Sequence, residues 1–446
     1  MKAFPRTPDA SRLFPEIMKA ADAAKLQKIF SIGLDQPDGS YPHWEKLKRI
    51  SPPSGLTHEE HWVAVKMARN QARRSVKLRQ KSGDVFWFTE PSCVRAQLSH
   101  LDLHAGGSLS SKGHELTPSD SDRYLARSLI EEPFSSSVLE GAATTRQAAR
   151  RMIEGGVVPR TKDELMVLNN YRAMRYVKQI KDEELTPDII INIHKIITEG
   201  TMDNPGDCGR LRDDKDNVTV EDDITGEVLH FPPPSVELPK RLQEICNFAN
   251  EPSDKANFIH PIIKAIILHF MIGYDHPFCD GNGRTARVLF YWYVVKCGYW
   301  ILEYVSISKS ISAAPSQYGK AYLHTESDFG DLTYFIINQL DVLDASLNDL
   351  HTYIETRREK LQQFEIALGD QNINHRQSFL LNEAARNRIR NIDINKHQSI
   401  HKVSYLTARN DLEALTSLGY FRKIKRGRSN LYIPIQSLVE KLTRPE

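Results

Sequence analysis

The spacing of apolar residues divides the chain into stretches of helical period, one short stretch of strand period and one stretch with no period. Up to about His104, helical periodicity is mixed with aromatics. His61-Trp62 and Phe86-Trp87-Phe88 predict a packed aromatic core within a mostly helical segment, 1–104. Residues 105–122, inside HAGGSLSSKGHELTPSDSD, are rich in Gly and Ser and predict a linker or surface loop. Helices dominate 123–347, as in Leu165–Ile180 and Ile259–Met271. The exception is NVTVEDDITGEVLHF, where Val218, Val220 and Val228 alternate about a turn containing Gly226. It predicts a β-hairpin, stopped by Pro232-Pro233-Pro234.

A charged helix, Leu350–Leu368, is expected within 348–372, with Gly369, Asp370 and Asn372 marking a break. The last segment, 373–446, has the pattern of a winged helix-turn-helix. Val403 to Arg409 would open its second helix, which continues through Leu412 and Leu415 to a stop at Gly419. Phe421 to Ile433 would form a two-stranded wing about Gly427. Arg422, Lys423, Lys425, Arg426 and Arg428 on the wing, with Arg409 on the helix, are candidate DNA contacts. Winged helices also serve as protein-interaction and dimer modules, so both kinds of partner stay open.

Composition narrows the class. With 446 residues, 40% hydrophobic and 26% charged, the chain is ordinary for a globular protein of two or three domains. A formal net charge of +2 excludes a molecule that is basic throughout. The five cysteines (Cys93, Cys208, Cys246, Cys279, Cys297) form no C-x-x-C pair and fit neither a disulfide framework nor a zinc site. Ile262–Ile272 comes closest to a membrane span, but it is too short and contains Lys264 and His269. A cytoplasmic protein without a membrane partner is expected. No pattern marks an assembly surface, and a homo-oligomer stays open.

The densest chemistry is in DHPFCDGNGRTARVLF, a loop between two apolar helices. Gly281 and Gly283 flank Asn282 and let backbone approach a ligand closely. Loop amides at a helix start, with Arg284 and Arg287 one turn apart, form a site suited to a di- or triphosphate. Asp280 beside clustered phosphates is a natural Mg²⁺ ligand. His276 can accept a proton near neutral pH. The reaction class these residues predict is phosphoryl or nucleotidyl transfer.

His276-Pro277-Phe278-x-Asp280-Gly281-Asn282-Gly283-Arg284-x-x-Arg287 resembles the complete Fic signature. The resemblance implies a mainly α Fic core with a β-hairpin flap, ATP as co-substrate and Mg²⁺ as cofactor. His276 would deprotonate a hydroxyl of a protein substrate, and Asp280 would hold the metal. The amides of Gly281 to Gly283, with Asn282 and Arg284, would cradle the α- and β-phosphates. Arg287 would reach the γ-phosphate, and Phe278 would anchor the loop. Phosphorylating relatives carry lysine where this chain has Gly283, so the resemblance implies adenylylation.

Ser136-Ser137-Val138-Leu139-Glu140-Gly141 can be read in two ways. Ser137-x-x-Glu140 fits a capping box opening a helix. The segment also resembles the Fic inhibitory pattern, which implies that Glu140, with Ser136, makes a bidentate pair with Arg287 where the γ-phosphate would sit. The hairpin residues Val218, Val220, Val228 and Phe231 resemble the Fic flap, which clamps a target segment. Gly209-Arg210-Leu211-Arg212 resembles the lead-in to that flap. Family position implies that Tyr318 and Tyr322 line the adenine pocket, while spacing alone suits packed core. The leading expectation is thus an autoinhibited protein adenylyltransferase. Removal of AMP at the same site and a nucleotide-responsive DNA-binding regulator stand as alternatives.

Overall fold

The computed structural model describes residues 7–106, 109–111, 114–116, 128–221, 225–252, 257–369, 373–385, 389, 391–426, 429–435 and 437–443. The chain divides into two compact units, one within 1–108 and 128–347, the other within 109–127 and 348–446.

The first unit begins with four helices, α1 (Ala10–Ala20), α2 (Ala23–Ser31), α3 (Trp44–Leu47) and α4 (His58–Gln71). Their starts are written in the sequence: Asp9, Asp22, His43 and Thr57 each accept a backbone N–H of the first turn, and Thr57 with Glu60 forms a full capping box. An antiparallel hairpin follows, β1 (Arg74–Arg79) with β2 (Val85–Phe88), and then α5 (Ser92–Ala105). This hairpin departs from the mostly helical expectation. In β1, Val76 and Leu78 point inward while Ser75, Lys77 and Arg79 point out, a strand period only six residues long. Phe86, Trp87 and Phe88 are buried, as is Trp62 on α4. The Trp87 N–H donates to Gly330 O (3.1 Å), and its carbonyl accepts the Leu332 N–H (2.8 Å).

Under this sheet lies a buried ionic cluster. Lys66 Nζ donates to Asp328 Oδ1 (2.9 Å), and Tyr334 OH donates to Asp328 Oδ2 (2.8 Å). Arg69 Nη1 donates to Tyr334 OH (2.6 Å), and Tyr41 OH donates to Asp331 Oδ2 (2.8 Å). The N-terminal helices are thereby tied to residues some 260 to 290 positions later.

Of the stretch expected as linker, Ala105 ends α5, and β3 (Leu109–Ser111) pairs with β4 (His114–Leu116) as a hairpin. The first unit resumes with α6 (Glu131–Leu139), α7 (Arg146–Ile153), α8 (Lys162–Gln179) and α9 (Pro187–Thr198). β5 (Val220–Glu221) and β6 (Val228–His230) form the predicted hairpin, with Val218 outside the strand. Then come α10 (Leu238–Asn250), α11 (Pro261–Asp275) and α12 (Asn282–Lys296). α11 and α12 are buried almost all round, which marks them as the centre of the unit. Lys264 is accommodated because its Nζ donates to Glu251 O at 2.6 Å. No described helix is long and apolar enough to cross a membrane. α13 (Ile307–Ala313) and α14 (Pro315–Ser327) complete the core before α15 (Thr333–Gly369). The separate charged helix expected over Leu350–Leu368 is the end of this single 37-residue helix.

The second unit holds α16 (His375–Ala385), β7 (Ile392–Asp393), α17 (Ile394–His401), α18 (Tyr405–Ser417), β8 (Phe421–Arg426), β9 (Ser429–Pro434) and α19 (Leu438–Thr443). Its sheet order is β7-β9-β8. Asp411 ties its helices together: Arg376 donates to both carboxylate oxygens (2.7 and 3.1 Å) and His397 Nε2 lies 3.1 Å from Oδ2. Arg409, Arg422 and Lys425 are exposed, whereas Lys423 is paired with Glu413. Asp370, Asn372, Gly427, Arg428 and the side chain of Arg426 lie outside the described residues.

Candidate active site

α11 stops at Asp275 because His276 turns left-handed, with φ 45°. The loop from His276 closes at Gly281 (φ 82°), where a Cβ would stand 2.8 Å from Thr198 Cγ2. Only glycine fits this turn. α12 then begins at Asn282.

Three side chains hold the loop. Asn282 accepts the Phe278 N–H (2.9 Å) and donates to Phe278 O (2.8 Å). Its amide, expected on phosphate, is thus spent on shaping the loop. Phe278 is fully buried and stacks on His194 of α9, ring centroids 3.7 Å apart and 2° from parallel. His194 Nδ1 accepts the Gly209 N–H (3.1 Å), which places the ring proton on Nε2, donated to Asp280 O at 2.9 Å. Burial drives this imidazole down to about 4, so it serves as a neutral strut. Arg212 is the third. Its Nε donates to His276 O (2.7 Å), and its Nη2 donates to Pro233 O (2.6 Å) and Asp275 O (3.3 Å). A cation at the end of α11 suits the carbonyl dipoles gathered there. Arg210, its neighbour in the lead-in, is bound to Asp207 and Asp216.

His276 itself is half-buried, with Nδ1 3.1 Å from Gly273 O. A carbonyl only accepts, so Nδ1 carries the proton and Nε2 keeps a lone pair. Burial pushes the imidazole down to about 4. On α12, Arg284 is buried, with Nη2 3.3 Å from Asp280 Oδ2. Its Nε and Nη1 are buried without a hydrogen-bond partner among the described residues. Two unsatisfied guanidinium donors are costly unless an anion meets them. The Asp280 carboxylate is 61% exposed, with Oδ1 on the Gly281 N–H at 2.6 Å. It is open enough to share a hard cation with phosphate oxygens, so the residues fit Mg²⁺. Asp207, Asp216 and Cys279 also cluster, but Arg210 is bonded to both acids of that group.

Arg287 is buried and meets Ser136 and Glu140 of the α6 end. Nη2 donates to Glu140 Oε1 (2.7 Å) and Ser136 O (3.3 Å), and Nε donates to Ser136 Oγ (3.0 Å). The pair is one-pronged, not bidentate, because Nε is taken by the serine. Burial opposes the charge of Arg287, yet Glu140, Tyr318 and Glu132 together raise its pKa. A Cβ on Gly283 would lie 2.3 Å from Glu140 Oε1, so the carboxylate fills the space over that glycine. The capping-box expectation is overturned. Ser136 and Ser137 lie in the last turn of α6, Ser137 Oγ donates back to Pro133 O (2.8 Å), and Gly141 (φ 90°) ends the helix.

α6 is fixed by a residue that sequence reading missed. Glu132, fully buried, accepts from Ser306 Oγ (2.9 Å), the Ser308 N–H (3.1 Å) and Ser308 Oγ (2.7 Å). Tyr318 OH lies 2.9 Å from His269 Nε2 and 3.4 Å from Tyr322 OH, while the Tyr322 ring stacks on Phe270 at 4.9 Å. These tyrosines pack against α11, and Tyr318 also faces Arg287. Val220 pairs with His230 and Glu221 with Val228 in the hairpin, while Phe231 beyond it is exposed.

Residues 184–294, which contain the hairpin, the loop, α11 and all but the end of α12, match the family model for the Fic/DOC family. Protein adenylyltransferase Fic of Nematostella vectensis is 30% identical over 183 residues, covering 40% of this chain and 40% of that protein. Protein adenylyltransferase fic-1 of Caenorhabditis elegans is 27% identical over 174 residues, covering 37% of this chain and 32% of that protein. These matches span two fifths or less of the relatives' own length. A solved Fic family protein from Desulfovibrio desulfuricans G20 overlays with a TM-score of 0.48 at 17% identity, covering 78% of this chain and 96% of that one. The loop from His276 to Arg287 lies within the segment that matches the Fic/DOC family model.

Proposed function

We propose that this protein is an ATP-dependent protein adenylyltransferase whose basal rate is held down by Glu140. One observation carries the reading. An imidazole with its Nδ1 proton fixed on Gly273 O opens the same loop that leads into a guanidinium whose buried donors lack partners. The first arrangement orients a base, and the second calls for phosphate. The target hydroxyl attacks the α-phosphorus of ATP, its proton passes to His276 Nε2, and the bond from that phosphorus to the β-phosphate bridge breaks, releasing pyrophosphate. Asp280 would hold Mg²⁺, which supplies charge neutralisation on the triphosphate. The amides of Asn282 and Gly283 and the free donors of Arg284 hold the α- and β-phosphates, and Arg287 receives the γ-phosphate.

Glu140 competes for that last position. A charge-assisted hydrogen bond contributes about 1.5–3 kcal/mol. Glu140→Gly therefore raises AMP transfer about tenfold to a hundredfold, measured with ATP labelled on the α-phosphate. An unchanged rate would dismiss the brake. Label arriving from the γ-phosphate instead would replace adenylylation with phosphorylation. The second unit, with its β7-β9-β8 sheet and the helices α16, α17 and α18, supports assignment as a winged helix-turn-helix interaction module.

A further inference from the structure

His230 ends β6 and is buried. Its Nε2 lies 2.7 Å from Tyr274 O, and its Nδ1 lies 2.8 Å from Glu326 Oε2 of α14. A carbonyl accepts only, and so does a carboxylate. A neutral imidazole has one proton and would leave a lone pair facing one of them. The geometry is satisfied when both ring nitrogens donate.

The place of these bonds gives them a consequence. Tyr274 is in the last turn of α11, two residues before His276. The carbonyls that end this helix are met by side chains from the strand and from its lead-in: Tyr274 O by the His230 ring, Asp275 O and His276 O by the Arg212 guanidinium. The same strand end is pinned twice more. Lys81 Nζ donates to Phe231 O (3.1 Å) and Arg212 Nη2 donates to Pro233 O (2.6 Å). The Lys81 N–H in turn donates to Tyr274 OH (2.9 Å). The Tyr274 ring packs on His230, centroids 4.9 Å apart.

We propose that His230 is a positioning residue: as an imidazolium between Glu326 and the Tyr274 carbonyl, it locks the hairpin to the turn that carries His276. A target segment laid along the hairpin is thereby placed at a fixed distance from the base. The inference rests on the adenylyl-transfer reading for its consequence, and on geometry alone for the lock.

The test uses the full chain labelled with ¹⁵N in histidine, and the variants His230→Phe, His230→Gln and Glu326→Gln. Both His230 ring nitrogens, assigned by their loss in His230→Gln, appear as protonated at neutral pH. Glu326→Gln, whose amide can donate to Nδ1, returns one of them to the unprotonated form. Amide exchange over 228–231 speeds at least tenfold in His230→Phe and recovers at least in part in His230→Gln, while 261–296 stays protected. One unprotonated nitrogen in the wild type, or unchanged exchange in His230→Phe, overturns the lock. In the Glu140→Gly background, with α-labelled ATP and the His276→Ala chain as acceptor, His230→Phe lowers the ratio of protein-bound to free AMP at least fivefold. An unchanged ratio overturns the positioning role. If Glu140→Gly yields neither product, adenylyl transfer fails, while the nitrogen and exchange results still decide the lock.

Discussion

His276→Ala lowers AMP transfer by about 10²–10⁴-fold, the range a positioned general base contributes, while ATP affinity stays within a few-fold. The asymmetry follows from where the imidazole is tied. Its Nδ1 bonds to Gly273 O within its own helix end, and its main-chain N–H donates to Ile272 O. The loop's shape is held instead by Asn282, His194 and Arg212. Removing the ring therefore takes away the proton acceptor and leaves the phosphate donors in place. Affinity read by calorimetry and transfer read with α-labelled ATP separate the two. A loss of affinity equal to the loss of rate would make His276 a scaffold. The sign of the pH dependence follows from the same burial. With the imidazole pushed down to about 4, the neutral, proton-accepting form persists above that value. The rate is flat from pH 8 to about 5 and falls only below. An acid limb at the ordinary histidine value of about 6.5 would contradict the desolvated base.

Asp328→Asn destabilises the first unit by about 3–5 kcal/mol, because it removes one partner of a buried ion pair and leaves the others. Lys66 and Asp328 are both almost inaccessible to water, and Arg69 lies 3.8 Å from the other carboxylate oxygen. The substitution leaves two buried cations with Asp331 alone. Asp331 is held above the usual carboxylate range by its own burial. The measurement is the denaturation midpoint of the full chain, followed by a probe in the first unit such as its tryptophans. A loss below about 1 kcal/mol would mean that water reaches the cluster. Since the cluster joins α4 to the start of α15, the N-terminal helices should loosen first.

How much could be read from sequence depended on the reach of each interaction. The loop was legible because its parts lie within twelve residues, and their spacing dictates turn, phosphate donors and base together. The contact of Glu140 with Arg287 spans 147 positions, and only a resemblance pointed to it. A serine three residues before a glutamate suits a helix start as well as a helix end, so spacing left both readings of Ser137 open. Gly141, left-handed, was the deciding residue. The resemblance gave the Asn282 side chain to phosphate, yet its partners are the main chain of Phe278 four residues earlier. His194 and Glu132 left no trace in spacing, since each acts on residues more than eighty positions away. β1 was hidden by its charged residues: Lys77 and Arg79 face solvent on a two-stranded sheet, and Arg74 pairs with Glu90.

The carboxylate over Gly283 belongs to the same polypeptide as the arginine it engages. Its local concentration is fixed by chain geometry and does not fall on dilution. Specific activity should therefore be the same at nanomolar and micromolar protein. Only something that binds the open arrangement better than the closed one, or a change in the chain itself, can shift the set point.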